Sequence, residues 1–240
     1  MTNQEAWFAP GGGMTQIDGF ISPRAARAIS AILAQQSKLE VEGSLAEIGT
    51  FKGKTFVGLA LSALPSERVI GYDLFPDAMA HDLSVAIDKA LPPEGRPTVQ
   101  LVMKDTSTLK TVDWMRLLQA PARFVHIDGD HTYRAVLSDL QLATSHLSDQ
   151  AVVVIDDYLH DWYPDVTEGV LDGLRVAKDL RPVAVIPRSG SLLRGGTKLI
   201  CATASGVKSY TELMRATFSE LTAHEINIAG HPAITFFNND

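Results

Sequence analysis

The feature that most constrains this chain is an alternation of short apolar runs with longer amphipathic stretches. It repeats five times between residues 44 and 179. The apolar runs at 44–48, 68–72, 98–103, 123–127 and 151–155 have strand length and are rich in Val, Ile and Leu. The stretches at 54–64, 76–91, 109–118, 133–147 and 166–179 carry helical periodicity. Strand–helix repetition makes successive strands parallel, because a right-handed crossover lets each helix pack back on the sheet. The pattern then breaks. Apolar runs at 182–186 and 197–202 are separated by Pro187-Arg188-Ser189-Gly190 and Gly195-Gly196, with no helical stretch between them, which predicts a hairpin. The expected fold is α/β and Rossmann-like: a mostly parallel, seven-stranded sheet with an antiparallel strand in the C-terminal hairpin.

The flanks add less. Ser22-Pro23 can start a helix running to about Gln35, and Gly11-Gly12-Gly13 reads as a mobile N-terminal segment. A helix over 210–221 and an apolar run over 233–237 end the chain. The reading is one domain over 1–240: an N-terminal segment and helix (1–40), a core (44–203), and a C-terminal helix and strand (206–240).

Composition narrows the function classes. With 240 residues, 45% hydrophobic, the chain can bury a core without disulfides or structural metals. Its single cysteine, Cys201, rules out an internal disulfide and a Cys-x-x-Cys zinc site; its apolar neighbours make it a buried strand residue. A net charge of −7 argues against a nucleic-acid partner, which needs clustered cations. No stretch approaches the roughly 20 apolar residues of a membrane span, and Met1 to Pro10 lacks the features of a secretory signal. The expectation is a cytoplasmic protein acting on a small molecule, with homo-oligomerisation left open.

In an open parallel sheet, ligands sit beyond the carboxyl ends of the strands. Here those ends carry Glu47-Ile48-Gly49, Tyr72-Asp73, Lys104-Asp105, Asp128-Gly129-Asp130-His131 and Asp156-Asp157. Solvent contact explains single polar residues at strand ends. It explains poorly a carboxylate at nearly every one.

The segment Glu47 to Thr55 joins the first strand to the first helix. Its glycines, Gly49 and Gly53, allow close backbone approach, and the helix start offers free N–H groups. A purely structural turn is one reading. A P-loop is a second, since Gly53-Lys54-Thr55 imitates its end; that motif, however, needs glycine where this chain has Ile48, leaving the loop one residue short. A nicotinamide-binding turn is a third, and Phe51 stands where its second glycine belongs. Asp73, ending the second strand, can accept the two hydroxyls of a ribose or simply cap the next helix. Nucleoside recognition without a pyrophosphate site points to S-adenosylmethionine.

Asp128 and Asp130 follow the fourth strand, and Asp156 and Asp157 the fifth, which should lie beside it. Converging anions repel unless a cation or proton joins them. Oxygen ligands without cysteine suit Mg²⁺, with Ca²⁺ or Mn²⁺ as alternatives; caps and turn carboxylates are the other reading. His131 begins the next helix. With an ordinary pKa near 6.5 it would be a neutral base, with Asp130 as competitor. Within the strand, alternation suggests that His126 points elsewhere. His160, with Trp162 and Tyr163, can line a substrate pocket or pack in the core.

These residues resemble class I S-adenosylmethionine-dependent methyltransferases, and more narrowly the metal-dependent family typified by macrocin O-methyltransferase. The matching segments are Glu47 to Thr55, Gly71-Tyr72-Asp73, Ile127 to Tyr133 and Val154 to Tyr158. The resemblance implies that Asp128, Asp156 and Asp157 ligate a divalent cation and that His131 is the general base. It implies cofactor contacts from Glu47, Gly49, Thr50, Phe51, Gly53, Thr55 and Asp73, with Asp105 or Thr106 near the adenine and Asp128 beside the cofactor. The implied reaction is methyl transfer to a hydroxyl of a sugar or other diol. A non-catalytic S-adenosylmethionine-binding protein would need the glycine turn and Asp73 but not His131, and a nucleotide hydrolase would rest on the imperfect P-loop.

Overall fold

The computed structural model describes residues 1–190 and 195–238. The strands are β1 (Ser44–Ile48), β2 (Arg68–Asp73), β3 (Thr98–Met103), β4 (Ala122–Ile127), β5 (Leu147–Ile155), β6 (Leu180–Ile186), β7 (Lys198–Thr203), β8 (Thr222–Ile228) and β9 (His231–Phe237). The helices are α1 (Asn3–Phe8), α2 (Pro23–Lys38), α3 (Phe56–Ser62), α4 (Asp77–Ala90), α5 (Thr111–Leu118), α6 (Tyr133–Thr144), α7 (Pro164–Val176) and α8 (Val207–Thr217). One sheet runs in the order β3-β2-β1-β4-β5-β7-β6-β9-β8. Neighbours from β3 through β5 are parallel, and β7 is antiparallel to both β5 and β6.

The central strands are buried on both faces, which is why they read as continuous apolar runs. Successive residues still divide between two cores, as the pleat demands. Leu45, Val69, Phe124, Val152 and Val154 pack with α2, α3, α4 and α8. Ala46, Ile70, Val125, Val153 and Ile155 pack with α5, α6 and α7 on the opposite face.

Among the described residues the sheet has nine strands where the sequence predicts seven. The surplus is the hairpin β8–β9, joined through Ala229-Gly230, with β9 parallel to β6. The run at 233–237 is thus a strand, as expected. Its partner β8 is an outer strand with most side chains at least partly exposed, so its sequence lacks an apolar run. The expected β6–β7 hairpin forms, although residues 191–194 of its connection lie outside the described residues.

The N-terminus departs from its reading as a mobile segment. Thr2 and Glu5 form a capping box that starts α1. Trp7 donates its indole N–H to the Lys54 carbonyl at 3.0 Å, and Phe8 packs where any side chain at position 58 would collide with its ring. A 3-10 turn over Gly13–Gln16 follows, with Met14 buried. These contacts fix the start of α3, and therefore the glycine turn preceding it. Among the described residues, no helix is long and apolar enough to cross a membrane.

Hydrogen bonds continue beyond the carboxyl ends of the strands. Gly49 N–H donates to Tyr72 O at 2.9 Å, Asp128 to Ile48 O at 2.8 Å, Asp156 to Ile127 O at 2.9 Å and Lys104 to Asp73 O at 3.1 Å. The site residues therefore start from backbone held in sheet register, not from free loops.

Candidate active site

A cavity of about 420 Å³ opens over the carboxyl ends of β1, β2, β3 and β4. Glu47, Gly49, Thr50, Phe51, Thr55, Asp73, Asp105, Thr106, Asp128, Asp130 and His131 line it, together with Gly19 and Phe20 from the N-terminal segment. Gly53, Asp156 and Asp157 do not.

Gly49 is required by geometry. Its φ is +81°, and a Cβ there would stand 1.8 Å from the Asp128 carbonyl oxygen. Its closest approach is thus to the end of β4, binding the two halves of the site. Gly53, at φ +87°, is instead packed against Leu83 of α4. Between them the chain turns at Phe51, itself left-handed at φ +48°. Asp73 holds that turn: its carboxylate accepts from Phe51 N–H at 2.6 Å and from Leu74 N–H at 2.7 Å. Each oxygen keeps a lone pair for a ligand hydroxyl. Phe20 stacks on Phe51 with centroids 6.4 Å apart, Lys52 pairs with Asp18 at 2.9 Å, and Lys54 donates to Gly19 O at 3.1 Å. These contacts bring Gly19 and Phe20 over the glycine turn, a long-range result with no local signal.

On the far side, Asp105 accepts from Ser107 N–H at 2.9 Å and starts a short turn. Thr106 in that turn donates its hydroxyl to Asp139 at 2.6 Å. Asp139 is buried in α6, and burial lifts its carboxyl to about 6 despite the Thr106 hydrogen bond.

The carboxylates at the ends of β4 and β5 form two groupings that share Asp128. His126, Asp128 and Asp156 each offer a ligand atom within 4.8 Å of the others; Asp128, His131 and Asp157 do the same. Asp156 and Asp157 fall in different groupings because consecutive side chains diverge, with Asp157 turned left-handed at φ 55°. Either set, of carboxylate oxygens and an imidazole nitrogen, has the donor chemistry and spacing to accept a divalent cation.

His131 Nε2 lies 2.9 Å from Asp157 Oδ2 and 3.7 Å from Asp128 Oδ1, without the alignment of a linear hydrogen bond. Its contacts with Asp128 and Asp157 raise it to about 10, so at neutral pH it is an imidazolium rather than the free base expected from an ordinary histidine pKa. Burial and the Asp156 charge push Asp128 up to about 7; its side chain is 28% exposed, so water in the cavity moderates that shift. For Asp157, burial acts upward but is outweighed by His131, and the net shift is downward. His131 also stacks on Tyr163, with centroids 4.2 Å apart, and Tyr163 stacks on His160 at 4.8 Å. Asp130 is exposed and accepts from the Thr132 hydroxyl at 3.0 Å.

His126 does not point elsewhere. It lies two residues before Asp128 and so shares its face of the strand. Its Nδ1 lies 2.7 Å from Glu47 Oε1, and its Nε2 lies 3.1 Å from Lys198 Nζ. Lys198 in turn pairs with Asp156 Oδ2. All four side chains are buried. Burial, reinforced by the Lys198 charge, drives His126 down to about 3, so its ring is neutral. Burial would lower Lys198, but Asp156 and Asp128 outweigh it and hold the amine above its usual value. Burial and the Asp128 charge raise Glu47 well above the carboxylate range, and its Oε2 has no hydrogen-bond partner among the described residues. Lys198 was not singled out by sequence. It belongs to an apolar run on a strand whose partner, β5, is distant along the chain.

The sequence profile of a methyltransferase domain matches residues 46–158. That interval holds the glycine turn, Asp73 and both aspartate groups. The chain carries a class I S-adenosylmethionine-dependent methyltransferase domain. Solved structures show the same fold at low identity. A TDP-rhamnose 3'-O-methyltransferase of calicheamicin biosynthesis aligns at TM-score 0.55 and 18% identity, covering 73% of this chain and 77% of that one. An O-methyltransferase from Bacillus cereus in complex with SAH aligns at 0.53 and 16%, covering 72% and 79%. An O-methyltransferase of tomaymycin synthesis from Streptomyces achromogenes, in complex with SAM, aligns at 0.54 and 18%, covering 75% and 80%. No curated protein matches.

Proposed function

We propose that this methyltransferase acts on a hydroxyl oxygen of a small molecule, assisted by a divalent cation held at the Asp128 cluster. The observation that carries the reading is the position of that cluster. Asp128 and His131 line the same cavity as the glycine turn and Asp73, while Asp157 reaches His131 from β5.

When bound, S-adenosylmethionine supplies a methyl group on a sulfonium, and a divalent cation such as Mg²⁺ supplies charge that eases ionisation of a weakly acidic hydroxyl. The chain's part is binding, alignment and proton handling. Asp73 offers its remaining lone pairs to ribose hydroxyls. Asp105 and Thr106 flank the adenine end. Glu47 presents a buried, unpaired oxygen suited to the amino group. His131 holds a proton between Asp128 and Asp157. Asp128 and Asp157 would hold the cation; with their charges so engaged, His131 would give up its proton to solvent and serve as the neutral base. Asp130, exposed in the same turn, is the alternative base. A vicinal diol, in a sugar or a catechol, offers two oxygens to such a cluster and thereby fixes which one reacts. The calicheamicin enzyme, named for a sugar hydroxyl, supports an oxygen acceptor.

The test is methyl transfer from labelled S-adenosylmethionine to a panel of sugar diols and catechols, with Mg²⁺ or with EDTA. Transfer to oxygen that is lost on chelation is the expected result. Activity surviving exhaustive EDTA treatment overturns the cation's role, and label on nitrogen or carbon overturns the oxygen acceptor.

A further inference from the structure

The chain Glu47–His126–Lys198–Asp156 runs sideways through the sheet, across β1, β4 and β7 to the end of β5. Its contacts are 2.7 Å, 3.1 Å and the close Lys198–Asp156 pair. It begins at a cofactor-cavity residue and ends in the carboxylate cluster. Lys198 is only 1% exposed, so water does not screen its charge.

The partners of Asp156 are already fixed. Its Oδ2 faces the Lys198 ammonium, and its Oδ1 accepts from Asp157 N–H at 2.7 Å. Gly196 presses on the same place, since a Cβ there would stand 2.9 Å from Asp156 Oδ1 and 1.9 Å from Asp157 Oδ1. A second cation at Asp156 must therefore either share Oδ2 with an ammonium that cannot retreat into solvent or take the remaining lone pair of Oδ1, and in both places it meets the Lys198 charge on the same carboxylate. The other end is fixed too: Glu47 Oε1 is engaged by His126, leaving Oε2 as the unpaired atom.

Resting on the proposed cation at the Asp128 cluster, we infer that Lys198 is a built-in competitor for Asp156 that weakens divalent-cation binding and, through His126, holds Glu47 in its cofactor-facing pose. Lys198 is a positioning residue, touching neither the cavity lining nor the exposed oxygens of Asp128. With Lys198 in place, a divalent ion relies chiefly on Asp128 and Asp157. Without it, Asp156 is a buried carboxylate lacking a counter-charge, and the cluster gains a full ligand.

The test measures binding, not turnover. Mn²⁺ alone is titrated into the wild-type protein, Lys198→Met, Lys198→Gln and Lys198→Arg, with free Mn²⁺ read by its paramagnetic resonance signal. S-adenosylhomocysteine affinity is measured on the same samples by calorimetry. Both neutral variants should bind Mn²⁺ tighter by about tenfold or more, and Arg should stay near wild type. Adding Asp156→Asn to the neutral variant should cancel the gain. S-adenosylhomocysteine should bind several-fold more weakly to the neutral variants, with Arg restoring it. If Met does not fold, Gln carries the test. Wild-type Mn²⁺ binding with no change in the folded neutral variant overturns the inference and leaves the cation reading standing. Mn²⁺ binding only in the neutral variants supports Lys198 as the resident cation and overturns divalent assistance in the native enzyme. No binding in any variant overturns both.

Discussion

The two halves of this site are built in opposite ways. The cofactor half, from β1 to β3, is satisfied by backbone: Asp73 accepts two N–H groups and Asp105 one, while Gly49 and Gly53 are shaped by the protein around them. The cation half, from β4 to β7, is satisfied by side chains of opposite charge, with His131 on Asp157 and Lys198 on Asp156. Removing a side chain from the first half costs a few hydrogen bonds. Removing Lys198 from the second leaves Asp156 charged and buried. On the proposed reading, the first half is pre-formed for its ligand, and the second is held by paired charges that a cation would have to displace.

The severest way to break this comparison is at the hinge between the halves. Gly49→Val would force a β-branched residue into φ +81° and drive its Cβ into the Asp128 carbonyl. Both halves should fail together. Calorimetry should show loss of S-adenosylhomocysteine binding by about 100-fold or more, and the thermal midpoint should fall, for a strain of about 3 kcal/mol or above. Near-native binding would show that the halves are not tied at this point.

Separating the halves should give smaller and opposite effects. Asp73→Ala should weaken S-adenosylhomocysteine by about 10- to 100-fold, matching lost hydrogen bonds of about 1–3 kcal/mol, with Mn²⁺ affinity unchanged. Asp157→Asn should do the reverse, lowering Mn²⁺ affinity and leaving S-adenosylhomocysteine binding near native. If each variant disturbs both ligands equally, the division into halves is wrong.

This division also marks what the sequence could disclose. Strand ends, the glycine turn and the acidic residues at 73, 128, 156 and 157 are local signals, and the structure puts each at the carboxyl edge. His126 joins the site rather than pointing elsewhere, because a residue two before Asp128 on a strand shares its face. Lys198 and Phe20 were not legible. One reaches the site through the antiparallel β5–β7 pairing, the other through contacts with the glycine turn, and neither carries a periodicity or spacing that foretells its partner. The hairpin β8–β9 stayed half hidden because an outer strand needs no apolar run. The raised pKa of His131 comes first from Asp128, three residues before it, and then from Asp157, which only the β4–β5 pairing brings near.

Asp139 sharpens the comparison at its finest level, because it touches both halves. It accepts from Thr106 beside β3, and a Cβ on Gly129 after β4 would come within 3.0 Å of its other oxygen. Burial raises its folded-state pKa to about 6, above the ordinary aspartate value. The sign follows from linkage: the folded protein binds this proton more tightly than the unfolded chain does. Asp139 therefore takes nothing from stability below about pH 4, takes progressively more as pH rises to about 6, and levels off above that. Asp139→Asn keeps an acceptor for Thr106 and removes the ionisation. It should stabilise the fold at pH 8 by about 1–2 kcal/mol, and the gain should shrink toward zero at pH 4. Urea denaturation at pH 4, 5, 6, 7 and 8 measures this directly. A gain at pH 8 accompanied by unchanged S-adenosylhomocysteine and Mn²⁺ affinities would make Asp139 a passive support beneath both halves. A gain accompanied by weaker binding of both ligands would mean that its charge holds the Thr106 turn and the Gly129 turn in their working positions, and that the halves communicate beneath the cavity as well as at Gly49. A constant difference across the pH range would exclude ionisation of Asp139 as the cause.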